Sequence, residues 1–283
     1  MAINRDSASP AVPVRIIEPP RGIELNLAEL VRERELLGFL SWRNVQIRYK
    51  QSLAGPGWAV FQPLLGMLIF SLVFGRYAKL PNDGIPYPVF YLSAFLVWTY
   101  VTSSLTSASG SVADNAALVS KVYFPRVFLP LSSALAGLLD VAIGTVVAIP
   151  LFLAYGVDIG WQFLLVPGPV LIAFLAVAGG GLFLGGLNAL YRDVRLAVPF
   201  LLQAGLFISP VAFSSSILPD NLHTLYGLNP IAGAIEGFRW CVTGGEGAAT
   251  VPMVAVSAAT AVALFVVGLA YFQRVDRTIA DVV

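Results

Sequence analysis

Few side chains in this sequence could carry out a chemical reaction. The 283 residues include one cysteine and one histidine, so Cys241 has no partner for an internal disulfide and His223 has no accompanying set of metal ligands. The sequence contains neither a G-x-x-x-x-G-K-[ST] phosphate-binding loop nor any Gly-Lys step. We therefore expect no catalytic residue, no metal site, no bound cofactor and no ATP hydrolysis by this chain alone.

One carboxylate lies in a strongly apolar stretch. Asp140 follows Leu138 and Leu139 inside the segment 128–155. A charge in the hydrocarbon core of a membrane is costly and by default suggests a function, so a proton-coupled carrier is one interpretation. The segment supplies no base to accompany the acid. A structural hydrogen bond or a dimer contact is the interpretation we favour.

Aromatic residues are concentrated in two neighbouring apolar segments. Rings lie well against the apolar C–H faces of sugars, so a pore lined with them would let a glycan slide. Trp and Tyr also form the usual belt at membrane interfaces, and both roles stay open. The candidates for channel lining are Phe70, Phe74, Tyr87, Phe90, Tyr91, Phe95, Trp98, Tyr100 and Phe207.

The composition indicates that lipid surrounds much of the chain. It is 57% hydrophobic and 12% charged, whereas a soluble domain carries about 25% charged residues. Its mean hydropathy is +0.80, and the net charge of +1 gives no sign of a nucleic-acid partner. A membrane span needs about 20 apolar residues. We predict an all-α integral membrane protein with about six transmembrane helices, at 56–77, 87–108, 128–155, 163–190, 196–213 and 251–272.

The remaining segments are expected to flank these spans. Residues 1–24 are rich in proline and polar residues and predict a flexible tail. Residues 25–55 mix leucines with cations, which favours an amphipathic interface helix over an ordinary soluble helix. The stretch 231–242 is too short to span and contains Glu236 and Arg239, so we predict re-entrant helices on the outer, periplasmic side.

The distribution of basic residues predicts the orientation of the transmembrane domain 56–273. Loops that carry an excess of Lys and Arg face the cytoplasm. Both termini, including the tail 274–283, then lie inside. The inner segments carry Arg43, Arg48, Lys50, Lys121, Arg126, Arg192, Arg195, Arg274 and Arg277, against Arg76, Lys79 and Arg239 outside.

The loop 109–127 is long for a connection between two spans. Ser111 with Asp114 fits a helix-start pattern, and 116–122 could form one or two helical turns. Such a helix could dock on a cytoplasmic partner, or the loop could be a solvated connector.

Several motifs resemble one family of membrane transporters. The run FLSWRNVQIRYKQSLAGPGW at 39–58 resembles the start of ABC-2-type permeases that export polysaccharide, such as the O-antigen and teichoic acid exporters. The resemblance continues, in order, with KVYFPR at 121–126, YRDV at 191–194, LNP at 228–230 and EGFR at 236–239. It covers about 25–275. Asn44 stands where the family pattern has an acidic residue.

The resemblance implies an architecture and a set of partners. It implies a homodimer with a channel between six-helix subunits in the bacterial cytoplasmic (inner) membrane. Two copies of a separate ATP-binding subunit would hold ATP and Mg. The substrate would be an undecaprenyl-diphosphate-linked glycan. Competing hypotheses are an ion-coupled carrier that uses Asp140, a membrane-embedded transferase, and an ABC-2 exporter of drugs or small lipids.

The resemblance also implies two sets of site residues on the cytoplasmic side. Cations are needed where the substrate diphosphate enters, and Arg43, Arg48 and Lys50 are the local candidates by charge and position. A coupling helix between the second and third spans would contact the ATP-binding subunit. The coupling candidates are Asp114, Asn115, Leu118, Lys121, Tyr123, Arg126, Arg192 and Asp193.

Overall fold

The computed structural model describes residues 33–50, 57–121 and 124–282. The described residues are mostly helical and contain no β-strand. The predicted tail 1–24, both ends of the predicted interface region (25–32 and 51–55), Val122 and Tyr123 lie outside the described residues. The all-α fold predicted from the composition is confirmed.

The first described helix lies in the predicted interface region. Helix α1, Arg34–Tyr49, leaves Phe39, Trp42 and Ile47 about 60% exposed or more, as expected for side chains that face lipid. Its other side packs against a later helix, α5, which spans Phe128–Ala154. One face therefore suits lipid and the other contacts the protein.

Five described helices are long and apolar enough to cross a membrane. Helix α2, Gly57–Phe70, continues into wider π-type turns over Ser71–Tyr77. The other four are α3 (Tyr87–Asp114), α5 (Phe128–Ala154), α6 (Pro167–Leu190), which follows a 3₁₀ turn at Trp161–Leu165, and α10 (Val251–Val282). Helix α10 runs on through the predicted tail 274–283 as far as Val282.

The segment predicted at 196–213 forms a helix shorter than a full span. Helix α7, Val194–Ile208, has 15 residues, about 22 Å at 1.5 Å per residue, against about 30 Å of hydrocarbon. Ser209 leaves the helix with ψ 153°, because the residue before a proline is driven out of the helical region. Pro210 thus ends the segment early.

Two short helices follow α7, and one follows α3. Helix α8, Asp220–Tyr226, and helix α9, Pro230–Val242, follow one another and both contact α10. The Asn229 side chain accepts a hydrogen bond from the Ile231 amide and caps α9. Helix α4, Ala116–Lys121, confirms a short helix in the long loop. Its predicted start was wrong, because Ser111 and Asp114 form the last turn of α3.

Helices α3 and α6 form the centre of the subunit. Of their most apolar stretches, 72% of the residues are buried in α3 and 56% in α6, against 11% in α2 and 28% in α10. Glycines bring α6 and α10 into backbone contact, since a Cβ on Gly268 would lie 2.1 Å from the Gly179 carbonyl oxygen. Small residues allow this close approach between membrane helices.

Candidate functional site

A row of polar contacts joins α1 to α5. The Arg48 guanidinium forms an ion pair with the Asp140 carboxylate, and the Tyr49 hydroxyl donates to the other carboxylate oxygen. Asn44 donates to the Ser132 hydroxyl at 3.0 Å. Asp140 is therefore not an isolated acid, because α1 supplies the base that α5 lacks.

The three cations predicted at one entrance occupy different positions. Arg43 donates to the Asn115 side-chain oxygen at 3.1 Å, at the end of α3. Arg48 is engaged by Asp140, and Lys50 is exposed at the end of α1. Burial and the hydrogen bond to Asp140 raise the pKa of Tyr49, so this hydroxyl keeps its proton and acts as a donor at neutral pH.

The coupling candidates gather at one end of the helix bundle. Asp114, at the end of α3, pairs with Arg195 of α7 at 3.1 Å, and both side chains are more than half exposed. Arg126 donates to the carbonyl oxygen of Asp276 at 2.9 Å and to its carboxylate at 3.2 Å. These contacts join the end of α3 to the start of α7 and the start of α5 to the last turns of α10, and Asn188 near the end of α6 donates to the Ser109 carbonyl of α3 at 2.9 Å.

The remaining coupling candidates differ in exposure. Lys121, Arg192 and Asp193 are exposed, Leu118 is half-buried, and Asn115 donates to the Ser111 carbonyl at 2.8 Å. Arg195 was absent from the sequence-based coupling set, although it lies two positions after Asp193 and directly after the YRDV motif. A basic residue beside a short motif is a weak signal by itself.

Most of the aromatic residues predicted to line a channel are buried within the single chain. Phe90, Tyr91 and Tyr100 are at most 1% exposed, and Phe95 and Trp98 are 8% exposed. These side chains pack inside the chain because α3 is its central helix, and the lining of a channel stays a prediction. Four candidates keep exposed surface: Phe70, Phe74 and Tyr87, which are partly buried, and Phe207, which is 62% exposed.

A buried ion pair lies at the opposite end of the bundle. Glu236 and Arg239 of α9 are fully buried, and their side chains meet at 2.7 Å. Arg239 also donates to the Pro210 carbonyl at 2.9 Å and lies 3.7 Å from the centre of the Phe90 ring. The Ser215 amide donates to Glu236 at 3.1 Å. The pair thus joins α9 to α3 and to the turn after α7.

An open polar cleft of about 560 Å³ lies near this pair. It is lined by Asp83, Ser216, His223, Glu246 and their neighbours. Ser216 donates to Asp83 at 2.6 Å, and the His223 ring nitrogen lies 3.0 Å from the Leu218 carbonyl oxygen. Within the described ranges, no group of three or more His, Cys, Asp and Glu residues could hold a metal ion.

Comparison with known proteins places the chain in a family. The family model for the ABC-2 type transporter matches residues 35–242, more than half of the chain. The chain belongs to the ABC-2 type transporter family. The resemblance seen in the motifs of the sequence is therefore confirmed. Membership identifies a multi-pass membrane subunit of a transporter and implies an ATP-binding partner.

Curated relatives are similar to the chain along most of its length. The O-antigen export system permease protein RfbA of Klebsiella pneumoniae is 26% identical over 255 residues, which are 88% of this chain and 95% of that protein. Another Klebsiella pneumoniae protein of the same name is 25% identical over the same shares. The RfbA permease of Myxococcus xanthus is 28% identical over 214 residues, 75% of this chain and 81% of its own length.

Proposed function

We propose that this chain is the transmembrane permease of an ATP-driven polysaccharide exporter in the bacterial cytoplasmic membrane. The observation that carries the proposal is the similarity to O-antigen export permeases over 88% of the chain. The five span-length helices and the apolar composition agree with a membrane subunit. The polysaccharide is expected to be O-antigen-like or teichoic-acid-like and carried on a lipid diphosphate.

The proposed machine is a homodimer with two ATP-binding subunits docked below it. The docking face is the bundle end where α3, α6 and α10 finish, around helix α4. Lys121, Arg192 and Asp193 project from this face without burial, so they are available to a partner. Nucleotide binding would move the docked α4, and α3 would carry that motion into the centre of the subunit.

The proposed channel lies between the two copies of the chain. Helix α2 is the least buried of the span-length helices, and Phe70, Phe74 and Tyr87 keep partial exposure near it. These rings, with Phe207 on α7, are the candidates that can reach a surface between subunits. Their flat faces suit the C–H faces of sugar rings.

A charge-matched pair of double variants tests the docking face. The chain is reconstituted with an ATP-binding subunit encoded beside it, and ATP hydrolysis is measured with lipid-linked glycan present. Lys121→Ala with Arg192→Ala should lower the hydrolysis rate severalfold by removing two exposed cations from this face. Arg76→Ala with Lys79→Ala, at the opposite end of the bundle, should leave the rate unchanged.

The outcomes separate the exporter from a carrier. An equal loss of ATP hydrolysis in both double variants would contradict the proposal that the partner docks on this face. Glycan movement that follows a proton gradient, needs no ATP-binding subunit and disappears in Asp140→Asn would favour an ion-coupled carrier. The pairing of Asp140 with Arg48 and Tyr49 already accounts for that carboxylate without proton transport.

A further inference from the structure

The ion pair between Arg48 and Asp140 is partly open to its surroundings. The Arg48 side chain is 25% exposed and the Asp140 side chain 13% exposed. By contrast, Glu236 and Arg239 form a pair that is 0% exposed on both sides. A ligand can therefore approach Arg48 without prior unfolding of the helices around it.

The guanidinium of Arg48 also has spare donors. Its contact with Asp140 uses Nη1, whereas Nε and Nη2 make no hydrogen bond to another residue in the described part of the chain. A guanidinium offers five N–H groups and binds phosphate through two of them at once. Lys50, two residues further along, is exposed and adds a second positive charge nearby.

Arg48 lies on the helix that the sequence predicts to lie at the membrane interface. Helix α5 has 27 residues, about 40 Å at 1.5 Å per residue, so it is longer than the hydrocarbon layer of about 30 Å and crosses it with a tilt or extends beyond it. Asp140 lies about 18 Å along α5 from Phe128. Helix α1 also contacts α5 nearer that end, through Asn44 with Ser132 and Ser133. Long cationic side chains below the headgroups extend toward them, so the guanidinium of Arg48 can reach toward the headgroup layer.

We propose that Asp140 is an internal counter-ion that occupies Arg48 until the phosphate or diphosphate of a lipid headgroup displaces it. The spare donors Nε and Nη2 admit a phosphate oxygen while Asp140 is still in place, and the phosphate then competes with the carboxylate for Nη1 of the same guanidinium. The identity of the ligand as a diphosphate lipid rests on the proposed function. The exchange itself rests on the exposure and the spare donors of Arg48.

Displacement of the carboxylate changes how α1 is held. Asp140 provides two of the polar contacts between α1 and α5, one to Arg48 and one to Tyr49. Without them, this part of the seam retains the contacts of Asn44 with Ser132 and Ser133. Headgroup binding therefore loosens α1 from α5, while Arg43 still connects α1 to Asn115 beside the proposed docking face.

Lipid binding to the full chain in phosphatidylcholine nanodiscs tests the exchange. Undecaprenyl diphosphate is titrated, and its apparent Kd is measured by native mass spectrometry. Asp140→Asn removes the competing anion and should lower the Kd by about tenfold, within the usual range of coupling between sites. Arg48→Gln should raise the Kd by a similar factor, and Arg48→Gln with Asp140→Asn should match Arg48→Gln alone. The matched control Asp114→Asn, which frees Arg195 instead, should leave the Kd unchanged.

The opposite signs of the two single variants are the decisive result. A purely structural pair would lose binding, or keep it unchanged, in both variants, and an unchanged or raised Kd in Asp140→Asn would overturn the proposal. Phosphatidylglycerol and free inorganic diphosphate are titrated in parallel arms. If phosphatidylglycerol binds as tightly as undecaprenyl diphosphate, the exchange stands and the ligand is any anionic headgroup. If free diphosphate binds as tightly, the exchange stands and the lipid chain is not required.

A second measurement uses the native Asp140. In a Cys241→Ser background, Asn44→Cys and Ser132→Cys replace the retained polar contacts of the seam by two thiols. Of the polar contacts between α1 and α5 described above, this variant keeps those of Asp140, and the disulfide reports the docking of α1 on α5. Undecaprenyl diphosphate should slow this cross-link severalfold, and an unchanged rate would sink the idea. Neither measurement uses an ATP-binding subunit. Lipid exchange without ATP-dependent export would therefore refute the proposed function and leave the counter-ion role standing.

Discussion

At the scale of single residues, the ion pairs of this protein differ in how far they are enclosed. Glu236 and Arg239 are completely buried and share several partners, whereas Asp114 and Arg195 are more than half exposed. Removing one partner of a buried pair leaves an uncompensated charge. An exposed pair is screened by water and contributes little. An ion pair therefore affects the stability of the fold more at the Glu236–Arg239 end of the bundle than at the Asp114–Arg195 end.

Substitution of one carboxylate at each end tests this contrast. Glu236→Gln should destabilise the chain by about 3–5 kcal/mol, because Arg239 keeps its charge in a buried site. Asp114→Asn is the control and should cost at most about 1 kcal/mol. Thermal unfolding in detergent micelles measures both. Equal destabilisation by the two variants would contradict the assignment of Glu236 and Arg239 as the more important pair.

Cys241 offers a probe of how α9 packs against α3, α6 and α10. It is 2% exposed, and burial raises its pKa to about 11. The thiolate is the reactive form, and the raised pKa keeps the thiol protonated until the pH approaches that value. Maleimide labelling of the native protein at pH 7.5 should therefore be slow and should increase strongly when the protein is unfolded. Labelling of the native protein as fast as of the unfolded chain would show that α9 separates readily from these helices.

At the scale of elements, the contact of α6 with α10 depends on two glycines. A Cβ on Gly179 would lie 2.5 Å from the backbone nitrogen of Phe265, and a Cβ on Gly268 would lie 2.1 Å from the Gly179 carbonyl oxygen. Backbone atoms cannot move aside as a flexible side chain can. The two helices must therefore separate to admit either methyl group.

Substitution of these two glycines by alanine tests the close packing, and a third glycine on α6 provides the control. Gly179→Ala and Gly268→Ala should each destabilise the chain by about 1–3 kcal/mol through overpacking. Gly168→Ala, also on α6, would place its Cβ where no atom lies within 4 Å, so it should be neutral or slightly stabilising. Thermal melts of the three variants in the same detergent check this. A large loss of stability in Gly168→Ala would mean that the cost of alanine at these positions does not come from the packing of α6 against α10.

At the scale of the whole molecule, the contacts assign the loops to two opposite ends. Lys121 and Arg192 lie at the end that the basic residues predict to be cytoplasmic, together with the Asp114–Arg195 pair. Ser216 and Glu246 line the cleft at the other end. The direction of the chain across the membrane is predicted from the charge at these two ends.

Cysteine scanning in intact spheroplasts tests that direction. In a Cys241→Ser background, Ser216→Cys and Glu246→Cys should react with a membrane-impermeant maleimide added outside. Lys121→Cys and Arg192→Cys should react after permeabilisation only. The reverse pattern would place both termini outside and would contradict the orientation derived from the basic residues.

The sequence alone determined the class of the protein and most of its helices. Low charge and long apolar runs require lipid as a solvent, and a backbone in lipid must satisfy its hydrogen bonds within helices. Five of the six predicted segments accordingly became span-length helices. The ordered motifs also predicted the family. The short α7 was overestimated because hydropathy measures apolar length and takes no account of where Pro210 stops the helix.

The tertiary structure alone decided which of these residues meet. Asp140 was predicted without a base, because Arg48 lies 92 positions away in the chain and hydropathy holds no information on such pairs. Phe90 and Tyr100 were predicted to line a channel, yet they are buried because the packing makes α3 the central helix. Periodicity and composition indicate whether lipid or water surrounds a segment. Contacts between distant segments arise from packing, which a local pattern does not encode.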